Sequence, residues 1–136
     1  MADLDLVRRL VAADQGLAIV ALTRSDGTVQ ASLVNAGVLD DPTGSTPVVG
    51  FVVRGNALKL KLVRLSGRAT VVWRAGWEWV AVDGPARVVE DGAPGLLRDV
   101  FIAAGGTHDD WAEYDRVMQE EGRVAVLVEP ARITSN

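Results

Sequence analysis

Apolar and polar positions change period several times along this chain, and each change marks an element. Leu6, Val7, Leu10 and Val11 recur at helical spacing behind Asp3, which suits a helix cap, and Gly16 suits the stop. Leu17 to Thr23 is an apolar strand. Ser25-Asp26-Gly27-Thr28 is a hairpin turn, because Asp-Gly tolerates the positive φ of tight hairpins. Val29 to Leu39 returns as a long strand with Gly37 as a bulge position, and DDPTGSTP (40–47) is a loop by composition. Val48 to Val53 is apolar throughout and predicts a central strand.

Residues 57–65 fit two periods. Leu58-Lys59-Leu60-Lys61-Leu62 alternates like a strand, while Leu58, Leu62 and Leu65 share a helix face. The helix is preferred, with Asn56 as its cap and Ser66-Gly67 as its stop. Arg68 to Arg74 is a strand with Ala69, Val71 and Trp73 on one face. After the Ala75-Gly76 turn, Trp77 to Val89 is a strand bent near Gly84-Pro85. Trp77, Trp79 and Ala81 lie on one of its faces, and Glu78, Val80 and Val82 on the other. Asp91 to Gly95 reads as a break. Leu96, Leu97, Val100, Phe101 and Ala104 form an amphipathic helix ended by Gly105-Gly106. Thr107 and Asp110 resemble a capping box for another helix, which carries Trp111, Tyr114 and Met118 along one side and closes at Gly122. Arg123 to Glu129 is a sixth strand, and 131–134 a short seventh beyond Pro130. Without a repeat or linker, residues 1–136 read as one domain. Its class is mainly β with short α-helices: an antiparallel barrel, closed or nearly so, because closure removes sheet edges.

Charge changes this picture in one place. After Asp41 no acid appears until Glu78, and between them stand Arg54, Lys59, Lys61, Arg64, Arg68 and Arg74. The window thus holds six of the 14 cations, leaving eight against all 18 acids outside it. Lys59 and Lys61 are the only lysines. Such an island either favours a bound anion or is a solvated face whose acids lie elsewhere in space.

Other residues narrow the chemistry. A net charge of −4 argues against general nucleic-acid binding. There is no cysteine, so thiolate nucleophiles, disulfides and cysteine metal sites are excluded, and a reducing cytoplasm suits the chain. One histidine, His108, cannot build a multi-histidine zinc site. No apolar run reaches the ~18 residues of a membrane span, and MADLDLVRRL is not a signal peptide. Neither a nucleophile elbow nor a phosphate loop is present. Asp109 and Asp110 read as favourable charge at a helix start, and His108 as a first-turn residue. An anion-binding island beside Trp73, Trp77 and Trp79 remains. It suits a redox cofactor with a planar ring and an anionic tail, with Trp73 better explained by core packing.

The stretches GLAIVALTRSDGTVQASLVNAGV, VRGNALKLKLVRLSGRATVVWR, GWEWVAVDGPARVV, GGTHDDWAEYDRVM and RVAVLVEPARITSN carry a resemblance over nearly the whole chain. They resemble the pyridoxamine 5′-phosphate oxidase-like family, and within it the actinobacterial branch that uses the deazaflavin coenzyme F420. The resemblance implies a six-stranded split β-barrel of the FMN-binding type, paired into a cytoplasmic homodimer with its cofactor at the subunit interface. Arg54, Lys59 and Lys61, with Arg64 nearby, would hold the cofactor phosphate. Ser32, Val34 and Asn35 would flank the ring, and Trp77 and Trp79 would reach the partner subunit's site. His108 and Tyr114 are candidates for the substrate side and for proton donation, and no catalytic residue is assigned. Where the family often reads K-x-x-N-L-R, this chain has Leu62 in place of asparagine, and Gly67 stands where proline is common. The expected activity is hydride transfer from the reduced deazaflavin to a conjugated or electron-poor organic acceptor. The alternatives are an FMN-dependent oxidoreductase of the same fold and a non-enzymatic module that binds a cofactor or tetrapyrrole.

Overall fold

The computed structural model describes residues 2–90 and 93–136. Helix α1 (Leu4–Ala13) starts where the Asp3 side chain accepts a hydrogen bond from Leu6 N, and it buries Leu6, Val7, Leu10 and Val11. Strands β1 (Leu17–Thr23) and β2 (Val29–Asp40) form the hairpin over Gly27. Then follow β3 (Pro47–Arg54), helix α2 (Leu58–Ser66), β4 (Arg68–Ala75) and β5 (Glu78–Val89). Helices α3 (Ala93–Ala103) and α4 (Trp111–Glu120) precede β6 (Arg123–Val128) and β7 (Arg132–Ser135).

All strand pairs are antiparallel, in the order β4-β1-β2-β3-β6-β5-β7, and β4 also pairs with β5. That extra pairing closes a six-stranded barrel, and β7 is added along β5. β3 is central, as its unbroken apolar pattern predicts. The two longest strands divide the barrel. β2 pairs with β1 up to Asn35 and with β3 from Ala36 onward. β5 pairs with β4 through Pro85 and with β6 from Ala86. At this second crossing Gly84 leaves no room for a side chain, because a Cβ there would lie 1.9 Å from Glu129 O.

The inward positions make the core. Ala18, Val20 and Leu22 of β1 meet Ala69, Val71 and Trp73 of β4 and Val80 and Val82 of β5. A smaller cluster of Val48, Leu96, Val100, Ala125 and Leu127 sits under α3. The opposite face of β1, β2, β4 and β5 carries an apolar row of its own. Leu33, Ile19, Val72 and Ala81 stand in register across four strands, with Ile19 and Leu33 exposed.

Five local expectations are corrected. Gly37 is not a bulge: it pairs in register with Gly50, and its bare Cα admits the Ala103 carbonyl at the end of α3. The α2 cap is Ala57 and not Asn56, because Gly55-Asn56 form a turn tied by Gly55 N to Gly122 O at 2.9 Å. The buried face of α2 is Leu60, Leu62 and Val63, while Leu58 and Leu65 stay exposed, since the later start rotates the face turned to the barrel. Asp110, not Thr107, caps α4 by accepting from Glu113 N, which leaves His108 in the loop before the helix. Trp77 belongs to the tight turn before β5 and not to the strand. Of the expected break, Asp91 and Gly92 lie outside the described residues, and α3 already begins at Ala93.

Candidate functional site

The parting of β2 from β3 creates a polar cleft. Beyond Ala36↔Phe51 the two strands diverge: residues 33–35 stay with β1, while 52–54 pair only with β6. Leu33, Val34 and Asn35 form one wall of the resulting cleft, and Val52, Val53 and Arg54 the other. Ala57 and Lys59 close it from the start of α2, and Arg123 from the start of β6. Its volume is about 340 Å³. Five apolar residues and three cations thus border one space, with Val34 and Val53 turning their side chains into the core behind it, a lining suited to a flat ring with an anionic substituent.

Arg54 and Arg123 are directly paired across β3 and β6. Like charges in that position repel, and one carboxylate relieves them. Glu121 Oε2 accepts from Arg54 Nη2 at 3.3 Å, and Glu121 Oε1 accepts from Arg123 Nε at 3.3 Å. The residue-35 amide is committed elsewhere: Asn35 Nδ2 donates to Gln15 O at 2.9 Å, which fixes its orientation at the cleft wall.

Of the residues singled out by sequence, Val34, Asn35, Arg54 and Lys59 come together here. Lys61 is exposed on α2, and neither lysine has an ion-pair partner among the described residues. Arg64 turns away and donates to Glu90, and Arg68 pairs with Asp83 at 3.2 Å. The acid-free window is therefore acid-free only in sequence; the fold supplies Glu121, Glu90 and Asp83. Leu62, the departure from the family pattern, is buried in the main core and offers the cleft nothing polar. Ser32 lies on the inward face of β2, and its buried Oγ has no hydrogen-bond partner, like Gln30 Oε1 two residues before it. Sequence reasoning missed Arg123. Its only signal was an arginine opening a strand just after a helix-ending glycine.

Trp77 and Trp79 lie outside this cleft. With Arg74 and Gly76 they border an apolar hollow of about 510 Å³. Trp77 is 95% exposed, although its backbone is held firmly: Asn136 Nδ2 donates to Trp77 O at 2.8 Å, and Trp79 N donates to Asn136 Oδ1 at 3.1 Å. The buried Trp73 instead sends its Nε1–H to Ala36 O at 3.0 Å.

His108 and Tyr114 gather with Phe101 and Trp111 between α3 and α4. Ring centroids are 5.0 Å apart for Phe101–Tyr114 and 5.8 Å for His108–Tyr114. Tyr114 is buried and its hydroxyl donates to Leu97 O at 3.2 Å; burial first, and then nearby Asp115, raises its pKa above the ordinary tyrosine value. His108 Nδ1 accepts from Asp110 N at 3.0 Å, so the proton of the neutral ring sits on Nε2. Arg98 holds Asp115 with two hydrogen bonds, which lower the Asp115 pKa, and its guanidinium lies 5.7 Å from the Trp111 ring centroid. At about 1.5 Å per residue, α4 sets Trp111 about 15 Å and Tyr114 about 10 Å from Glu121, which contacts the cleft arginines. No group of three or more metal-ligating side chains occurs among the described residues, and no helix there is long and apolar enough to cross a membrane.

The sequence matches no protein-family model and no curated protein sequence. Its fold matches solved structures. A conserved hypothetical protein from Mycobacterium tuberculosis is 18% identical with a TM-score of 0.72, over 99% of this chain and 84% of that one. An F420 reductase is 15% identical with a TM-score of 0.64, over 91% and 93%. A pyridoxamine 5′-phosphate oxidase-related, FMN-binding protein from Nostoc punctiforme is 12% identical with a TM-score of 0.69, over 96% and 81%. Likeness at this level of identity concerns architecture, and together with the closed β1-β2-β3-β6-β5-β4 ring it establishes this chain as a split β-barrel of the pyridoxamine 5′-phosphate oxidase-like fold.

Proposed function

We propose that this protein is an oxidoreductase that binds the deazaflavin coenzyme F420 at the β2/β3 cleft. In this reading the reduced coenzyme passes hydride to a conjugated or electron-poor organic acceptor. The observation that carries it is the convergence of Arg54, Lys59 and Arg123 on a cleft whose walls are Leu33, Val34, Val52 and Val53. The cations would hold the phosphate, and the apolar walls would exclude water from the ring edge. When bound, the coenzyme supplies the hydride, so the protein needs few reacting side chains of its own. Lys61, without a carboxylate partner beside the cleft lysine, is suited to the acidic tail beyond the phosphate.

The cofactor ring would be shared between two chains. The row Leu33–Ile19–Val72–Ala81, exposed at Leu33 and Ile19, and the exposed Trp77 are apolar surface that a second copy would cover, and tryptophan is enriched in such interfaces. This would bring the partner's tryptophans to the neighbouring cleft.

A second reading has its own support. Arg64 and Arg68 are taken up by Glu90 and Asp83, which leaves fewer cations for an acidic tail and favours FMN. Competition separates the two. Under identical salt the deazaflavin is expected to bind more tightly than FMN, and the reduced deazaflavin to be oxidised by at least one member of a panel of activated-alkene acceptors. Tighter FMN binding, with no deazaflavin oxidation by any acceptor, would replace the first reading with the second.

A further inference from the structure

Glu121 sits in a peculiar place. It follows the last turn of α4, and its carboxylate is shared by Arg54 and Arg123, two of the three cations that line the cleft. The two contacts, both at 3.3 Å, use one guanidinium from each of two adjacent strands. That is how two arginines would hold a phosphate oxygen pair. The Glu121 side chain is only 27% exposed and is held between the two guanidiniums that border the cleft. The next residue fixes its position: Gly122, in the left-handed region at φ 61°, accepts from Gly55 N and ties the end of α4 to the turn that follows β3.

We infer that Glu121 is a built-in competitor for the anionic group of the ligand. Its carboxylate neutralises the two arginines while the cleft holds no anion and must yield them when a phosphate enters. The consequence is selectivity by charge. A ligand must offer the arginines more than one carboxylate does, so a phosphate group, whose oxygens can engage both guanidiniums and Lys59 together, displaces Glu121, while a neutral ring alone gains nothing from the exchange. Lys59, which no carboxylate engages among the described residues, makes the first contact with the incoming anion. This inference rests on the cleft being the cofactor site and adds to it a residue that limits affinity from within.

FMN and riboflavin form the test pair, because they share a ring and differ by the phosphate. Their binding is followed by fluorescence quenching in wild type, Glu121→Gln, Glu121→Ala and Glu120→Gln. Glu120 pairs with Arg116 on the exposed side of α4, so its variant removes the same charge one residue away. Removing a competitor from two partly exposed ion pairs should tighten FMN binding about tenfold. Riboflavin binding should change by less than about twofold in every variant, and FMN binding by less than about twofold in Glu120→Gln. Unchanged or weaker FMN binding in both folded Glu121 variants, or an equal gain for riboflavin, would overturn the competitor role alone. Should the Glu121 variants fail to fold, wild type decides: FMN must shift the arginine Nε–H signals of Arg54 and Arg123 together, and an unmoved pair overturns the inference. If neither FMN nor the deazaflavin binds wild type or any variant, the reading of the cleft falls with it.

Discussion

Trp73 has no exposed surface, and its indole donates to Ala36 O at the point where β2 changes partner from β1 to β3. Trp73→Phe leaves that carbonyl unpaired and opens a void beside it. It should cost about 2 kcal/mol in urea unfolding, whereas Trp77→Phe, fully in water, should cost almost nothing in an isolated chain. Equal costs would show that the Ala36 bond does not hold the crossing. The alternation around Trp73 made its burial legible in sequence. The charge pattern was legible only in part. Of the six cations without acids, Arg54 and Lys59 line the cleft, but sequence distance hid the carboxylates of Glu121, Glu90 and Asp83 that the barrel folds back onto Arg54, Arg64 and Arg68. Arg123 was hidden for the same reason, since only the β3–β6 register sets it opposite Arg54.

At the scale of elements, the strands were readable because alternation and turn chemistry agree, as at Asp26-Gly27, where Thr28 N donates to Asp26 Oδ1 at 2.9 Å. Helix starts were less readable. Asn56 and Thr107 are good caps by residue type, yet tertiary ties at Gly55 and the His108–Asp110 bond shift each start downstream. Helices α3 and α4 are joined by the Arg98–Asp115 pair, which holds Asp115 below the ordinary carboxylate range. A depressed carboxylate stabilises the fold above its unfolded pKa, about 4, and the benefit is lost as pH falls through the lower folded value. The gap in melting temperature between wild type and Asp115→Asn should therefore be constant from neutral pH down to about 5 and shrink below about 4. A gap that widens in acid would contradict the assigned sign.

For the whole molecule, the barrel was predictable because six strands with one apolar face each need closure, and the β4–β5 pairing provides it. The second apolar face was not anticipated beyond its tryptophans, because Ile19 and Val72 read as ordinary strand residues until register aligns them with Leu33 and Ala81. That face predicts a dimer at micromolar concentration by light scattering, and Ile19→Glu should shift it to monomer by placing a charge at the centre of the row. A wild-type monomer would remove the shared site.

The central claim is that the cleft between β2 and β3 holds the anionic end of a flavin-type cofactor, and the two lysines test it most directly. Lys59→Ala combined with Lys61→Ala touches no ion pair among the described residues, so the fold should survive, as circular dichroism would report. Deazaflavin and FMN affinities are then measured for wild type and the double variant at low and at physiological salt. The expected result is a loss of about tenfold or more at low ionic strength, narrowing as salt screens the lysines. A folded double variant that binds both cofactors with wild-type affinity at low salt would contradict it.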